Sequence, residues 1–208
     1  ASAEGFLAGG TYAGLKTHEG DVLDLGILVS EEIATVAGTF STNSIISPSV
    51  TLSKQRIAKG SASAVVVNSG CANCCVGPQG FKDAEEMTSL AANHVGFTPD
   101  DVLVASTGII GVELPMALIR QNLGNIRVSS DGGDDFGLAM KSLHAGIASE
   151  VFGSTTNVAG DRPLPRKPAK ELRTRSTSLQ SLLKCMRYIS FHRGFSIEFR
   201  SSSVARLE

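Results

Sequence analysis

The chain has no tryptophan and only two tyrosines among 208 residues, so a surface that stacks unpaired bases on aromatic rings has little to build with. No apolar run approaches the roughly 20 residues that a membrane-spanning helix needs. The opening residues, Ala1-Ser2-Ala3-Glu4-Gly5-Phe6, lack the charged-then-apolar order of a secretory signal. We expect a soluble, intracellular protein; a mature chain whose targeting segment had been removed would read the same way. Histidine is scarce too. His18, His94, His144 and His192 are too scattered for spacing alone to pair one with a nucleophile.

Cysteine is sparse and unevenly placed. Cys71, Cys74 and Cys75 fall within five residues, and Cys185 stands apart, a poor layout for a disulfide framework. Cys71-x-x-Cys74 has the spacing of a zinc or redox pair, but no second pair follows at zinc-finger spacing. Free thiols in a loop of small residues are expected, with no resident metal or cofactor.

Net charge is nearly absent as well, at −1, but its distribution is lopsided. Residues 1–160 hold 8 Lys and Arg against 16 Asp and Glu, whereas residues 161–208 hold 11 against 4. Such a split marks a change of structural regime. Pro163, Pro165 and Pro168 open the basic stretch, and "RTRSTS" and "RSSSVAR" follow. Most of 161–208 is expected to lack a place in the core, with "LQSLLKCMRYISF" as a short amphipathic candidate. A basic tail of this kind attracts phosphate in a salt-dependent way, yet no folded nucleic-acid reader is visible beside it.

What is present reads as α/β, a layered arrangement of sheet and helices. "GFLAGGTYAGLK" starts as a strand with tight bends. "VLDLGILVS" and "ATVAGTFS" are short strands joined by an acidic turn at Glu31-Glu32, and Ser41–Ser53 is a loop or edge strand. Val65-Val66-Val67 is a strand that stops at Asn68-Ser69-Gly70. "FKDAEEMTSLAANHVG" then has helical spacing, with Gly96 as its stop. Asp101–Ala105 is the next strand, and Met116–Leu123 is a short helix with Pro115 at its start and Gly124 at its end. A further helix begins near Asp134. The adjacent carboxylates Glu85-Glu86 and Asp134-Asp135 do not face one another on a helix and read as solvated surface.

Two segments have the makings of chemistry. The loop after Asn68-Ser69-Gly70 leads into a helix N-terminus, where free N–H groups can hold an anion, although it fits neither the dinucleotide nor the Walker pattern. The second is "DVLVASTGIIGVELP". Ser106 or Thr107 could act as a nucleophile, but there is no nucleophile-elbow sequence around them. Alternatively Thr107 and Gly108 form an oxyanion hole, or the segment is a plain turn.

"GFLAGGTYAGLK", "AVVVNSGCAN", "GPQGFKDAEEM" and "VLVASTGIIGVELPM", in that order, resemble the N-terminal region of the ornithine acetyltransferase (ArgJ) family over about residues 5–135. The resemblance implies a sandwich of sheets between helices. It implies acetyl transfer from N-acetylornithine to glutamate in arginine biosynthesis, with acetyl-CoA as a donor in some members. Family precursors cleave themselves before a threonine, and the α and β chains stay together. That threonine carries the acetyl group, and the Ser-Thr-Gly segment, here Thr107 and Gly108, supplies the oxyanion hole. The implied setting is the cytoplasm, or the mitochondrial matrix in a eukaryote.

The family's Ala-Thr-Met-Leu cleavage motif is missing from this sequence, and Ala34-Thr35 does not match it. Thr155-Thr156 is only a displaced echo of the family's Met-Thr-Thr-Asp-Thr segment, and Val76-Gly77-Pro78 stands where Thr-Gly-Glu or Thr-Gly-Lys is usual. We therefore expect an α-chain region at 1–136, a divergent continuation at 137–160 and a basic tail at 161–208. The nucleophile would come from a β chain. Three readings stay open: a fragment or frameshifted product, an α chain paired with a separately encoded β chain, or a non-catalytic partner of an intact family member.

Overall fold

The computed structural model describes residues 4–16, 22–140, 189–191 and 195–200. Its strands are β1 (Phe6–Thr11), β2 (Leu25–Phe40), β3 (Ser61–Cys71), β4 (Val102–Ile109), β5 (Ile189–Phe191) and β6 (Phe195–Arg200). The helices are α1 (Pro48–Ile57), α2 (Gln79–Val95), α3 (Met116–Asn122) and α4 (Gly133–Met140).

Strand order is β4-β3-β2-β6-β5, with β1 pairing the N-terminal part of β2. β3 and β4 run parallel, and the other described pairs are antiparallel. The β3–β4 crossover is α2. One face of the sheet presents Ile27, Val66 and Val104 to Met87 and Ala91 of α2 and to Ile119 of α3. The other presents Val65, Val67, Leu103 and Ala105 in a core that includes Phe136 of α4. With both faces covered, a strand reads as a continuous apolar run. Val65, Val66 and Val67 are accordingly each fully buried. The expected layered α/β architecture is thus present.

Several boundaries differ from the sequence expectation. The two strands foreseen around Glu31-Glu32 are one 16-residue strand, β2. Its register against β3 shifts between Val29 and Ala34, and Glu31 and Glu32 are exposed at that irregularity. A bulge absorbs the extra residues without a turn, and neither glycine nor proline interrupts Ser30–Val36. The Ser41–Ser53 stretch is not wholly loop or edge strand, because α1 begins at Pro48. Ser47 is its N-cap, its hydroxyl accepting from Val50 N–H at 3.3 Å, and Pro48 follows it. Proline at the first helical position loses a donor that has no partner there anyway.

β3 continues three residues past the expected stop at Asn68, to Cys71, and β4 runs on from Ala105 to Ile109. Each strand thereby carries its polar end in the sheet instead of in a turn. α2 closes as foreseen on Gly96, which is left-handed at φ 82°. Pro115 lies just before α3, with ψ 72° outside the helical range. Glu85, Asp134 and Asp135 are exposed, and Glu86 pairs with Arg120 of α3 through Nη2–Oε2 at 2.8 Å.

Two strands lie in the stretch expected to be an irregular tail. β6 pairs with Thr35–Phe40 of β2, and β5 pairs with β6. The rest of 161–208, the 141–160 continuation with Thr155-Thr156, and Cys185 lie outside the described residues. Among the described residues, no helix is long and apolar enough to cross a membrane.

Candidate functional site

The polar ends of β3 and β4 lie side by side. Their parallel register pairs Asn68 with Ser106, Ser69 with Thr107, Gly70 with Gly108 and Cys71 with Ile109. Parallel α/β units gather binding groups at the carboxyl ends of their strands, and here that end carries three hydroxyls, two glycines and a buried amide.

The glycines are there because the backbone is crowded. Gly70 and Gly108 have φ of 128° and 133°, a region side chains rarely adopt. A Cβ on Gly108 would stand 2.2 Å from the carbonyl of Gly70, and one on Gly70 would stand 2.3 Å from the carbonyl of Leu15. Three backbone segments therefore stack within van der Waals reach. The 13–16 segment is held down by Asp24, which is fully buried. Its carboxylate accepts from the N–H groups of Ala13 (2.7 Å), Leu15 (2.6 Å) and Lys16 (3.2 Å), while its own carbonyl accepts from Ser69 N–H at 2.8 Å.

Backbone direction along β4 follows from its side-on partners. The Val104 N–H donates to Ser53 Oγ (2.9 Å), that hydroxyl donates to the Val104 carbonyl (2.7 Å), and Arg56 donates to the Val102 carbonyl (2.7 Å). Even-numbered residues of β4 thus face α1, away from β3. Odd-numbered ones face β3, where the Ile109 carbonyl accepts from Ala72 N–H at 2.8 Å. That regular two-residue alternation ends at Gly108, whose φ of 133° lies outside strand geometry. Burial holds the Arg56 guanidinium below its ordinary range, with Asp100 and Glu85 pulling the other way.

Thr107 is half-buried, on the sheet face that includes Leu103 and Ala105. Ser69, opposite it, donates its hydroxyl to the Ala139 carbonyl of α4. Ser106 points to the other side, where its hydroxyl lies 2.8 Å from that of Ser49 on α1. The Asn73 amide donates to Ser49 Oγ (3.2 Å) and to the Gly80 carbonyl (2.8 Å). Asn73 sits at φ 51°, fully buried, and its Oδ1 has no partner among the described residues. Asn68 is alike: its Nδ2 donates to the Cys71 carbonyl at 3.0 Å and its Oδ1 is unmatched.

The structure therefore brings Thr107 and Gly108 to one strand end. Ser106, the other candidate nucleophile, is engaged with Ser49, and no described histidine stands beside either hydroxyl. His94 instead meets the Ile126 carbonyl at 2.7 Å, and His18, His144 and His192 lie outside the described residues. Asp24, Ser49 and Asn73 were missed as site-building residues. An aspartate just before an apolar strand and an asparagine among small residues were the available signals. Cys71, Cys74 and Cys75 are free, as expected, with burial pushing the Cys71 thiol up.

The architecture defines a layered α/β protein with hydrogen-bond donors presented at the carboxyl end of a parallel strand pair. The ArgJ family model matches residues 7–148, and the chain belongs to the ArgJ family. The arginine biosynthesis bifunctional protein ArgJ of Staphylococcus epidermidis is 43% identical over 161 residues, which are 75% of this chain and 40% of that protein. The protein of the same name from Dehalococcoides mccartyi is 41% identical over 162 residues, 76% of this chain and 40% of that protein. The chain thus spans about two-fifths of the length of these curated relatives. Among solved structures, ArgJ of Bacillus halodurans superposes with a TM-score of 0.62 at 33% identity, covering 66% of this chain and 72% of that one. Ornithine acetyltransferase complexed with ornithine, from Mycobacterium tuberculosis, gives 0.62 at 30% identity, covering 66% and 76%.

Proposed function

We propose that this chain supplies the oxyanion-stabilising half of a glutamate N-acetyltransferase that moves acetyl from N-acetylornithine to glutamate in arginine biosynthesis. The observation that carries the reading is the placing of Thr107 and Gly108 opposite Ser69 and Gly70 at the carboxyl end of β4, in a chain belonging to the ArgJ family. Acetyl transfer passes twice through a tetrahedral oxyanion, once as the nucleophile takes the acetyl group and once as glutamate removes it. A backbone N–H and a threonine hydroxyl fixed at one point serve both passages, each such donor contributing roughly 3 kcal/mol.

The nucleophilic threonine belongs to a β chain in this proposal, and the two chains form one site. Ile109 and Ile110, 51% and 64% exposed beside the donors, are the apolar rim such a chain would cover. The matched residues make up 72% of the Bacillus halodurans chain but 40% of the Staphylococcus epidermidis protein, which supports a family unit that ends much sooner than the whole gene product. Acetyl-CoA is a co-substrate in the same scheme, entering at the first passage. The setting is the cytoplasm, or the mitochondrial matrix in a eukaryote.

The test is to mix this chain with a family β chain that begins at its Ala-Thr-Met-Leu threonine and to follow glutamate-dependent release of ornithine from N-acetylornithine. Turnover that needs both chains is the expected result. Stable association without turnover would favour the second reading, a non-enzymatic partner of an intact family member, which the missing Ala-Thr-Met-Leu motif motivates.

A further inference from the structure

Cys74 and Cys75 are consecutive, and their sulfurs lie 3.9 Å apart. Cys75 is exposed at φ 60° and Cys74 is partly exposed. Cys71, three residues earlier, is only 6% exposed and is packed in the core with Leu15 and Met87. The accessible pair is thus the adjacent one, not the Cys71-x-x-Cys74 pair that the spacing suggested. None of the three thiols has a role in the proposed acetyl transfer.

We propose that Cys74 and Cys75 form a two-thiol site that a single thiophilic atom bridges, with trivalent arsenicals as its ligand class. Direct closure to a disulfide is disfavoured by geometry. The sulfurs would have to approach to about 2.05 Å, and adjacent Cα atoms are held at about 3.8 Å, shorter than the 4.4 Å or more that unstrained disulfides span. One bridging atom removes that constraint. With sulfur bonds of about 2.3 Å, as for zinc thiolates, a separation of 3.9 Å leaves an angle of roughly 116° at the bridging atom, near tetrahedral.

The reaction balances without any change of oxidation state. An arsenic(III) oxide, R–As=O, forms two As–S bonds as both S–H bonds break, and the two protons leave with the oxide oxygen as water. The loop is also held in place from both ends. Gly111 N–H donates to the Cys74 carbonyl and Ala72 N–H to the Ile109 carbonyl, both at 2.8 Å. The dithiol therefore sits on the segment that adjoins Thr107 and Gly108, and a bridge there stiffens it.

The probe is phenylarsine oxide, applied to the pre-reduced full chain with Cys185→Ser in every protein and read by native intact mass. One adduct per chain is expected that survives excess glutathione and is released by dithiothreitol. Cys74→Ser and Cys75→Ser should each abolish the glutathione-resistant adduct, and Cys71→Ser should retain it. Retention in either of the first two variants, loss in Cys71→Ser, or no resistant adduct on the parent would overturn the assignment. Far-UV circular dichroism of each variant separates loss of the site from loss of the fold.

Discussion

Gly108 lies against Gly70 on the neighbouring strand so closely that a Cβ on Gly108 would stand 2.2 Å from the Gly70 carbonyl oxygen. The contact is backbone on backbone, so no side-chain rotation can relieve it. Gly108→Ala should therefore destabilise the protein by about 2 to 6 kcal/mol, combining strain at a positive φ with overpacking. Urea unfolding would measure it. A loss below about 1 kcal/mol would show that β3 and β4 separate at low cost and that the donor edge is not fixed.

Thr107 presents the opposite balance. Its hydroxyl has no partner among the described residues and the residue is half-buried, so Thr107→Val should leave the unfolding midpoint nearly unchanged. In the two-chain enzyme, the same substitution should lower kcat by roughly 10²- to 10³-fold if the hydroxyl stabilises the oxyanion. Unchanged turnover would leave Thr107 as a structural residue of β4 and place the burden on Gly108 alone.

Asp24 gives a prediction about support. Its carboxylate accepts three backbone N–H groups from the segment that crosses Gly70. Asp24→Asn keeps one acceptor oxygen and turns the other into a donor facing N–H groups. With charged hydrogen bonds contributing about 1.5–3 kcal/mol each, a loss of at least about 3 kcal/mol is expected in thermal or urea unfolding, with faster amide exchange at Ala13, Leu15 and Lys16. Protection that stays at the wild-type level would mean that packing of Leu15 alone holds the segment.

These residues also show how far the sequence could be read. The Val65-Val66-Val67 run and the spacing of Phe81 to Val95 identify the β3–α2 unit, because burial on both faces and a single apolar stripe leave different patterns. β2 was split at Glu31-Glu32 because two exposed acids look like a turn, whereas a bulge lets them remain in a strand. α1 was hidden by its many serines, of which Ser47 caps the helix while Ser49 and Ser53 bond to β4. β6 was masked by Arg and Ser around it, although "FSIEFR" alternates with period two. At the site, Thr107 and Gly108 were legible because they interrupt an apolar run. Asp24 and Asn73 were not, since their contacts join residues 7 to 24 positions away.

Acid sensitivity follows from two carboxylates. The Lys59 ammonium, then Thr98, hold Asp101 below its ordinary range, and Arg120 does the same for Glu86. A carboxylate whose folded value is lowered adds stability that is complete above its unfolded value, about pH 4, and is lost as pH falls through the lower folded value. These two pairs should therefore contribute a constant amount from pH 5 to 8 and lose it below about pH 4. Both are solvent-facing, so each amounts to less than about 1 kcal/mol and shrinks in high salt. The check is a comparison of parent and Asp101→Asn/Glu86→Gln unfolding at pH 7 and pH 3. The difference should be small at pH 7, smaller at pH 3, and reduced by 1 M sodium chloride; a difference that grows toward acid would reverse the assigned sign.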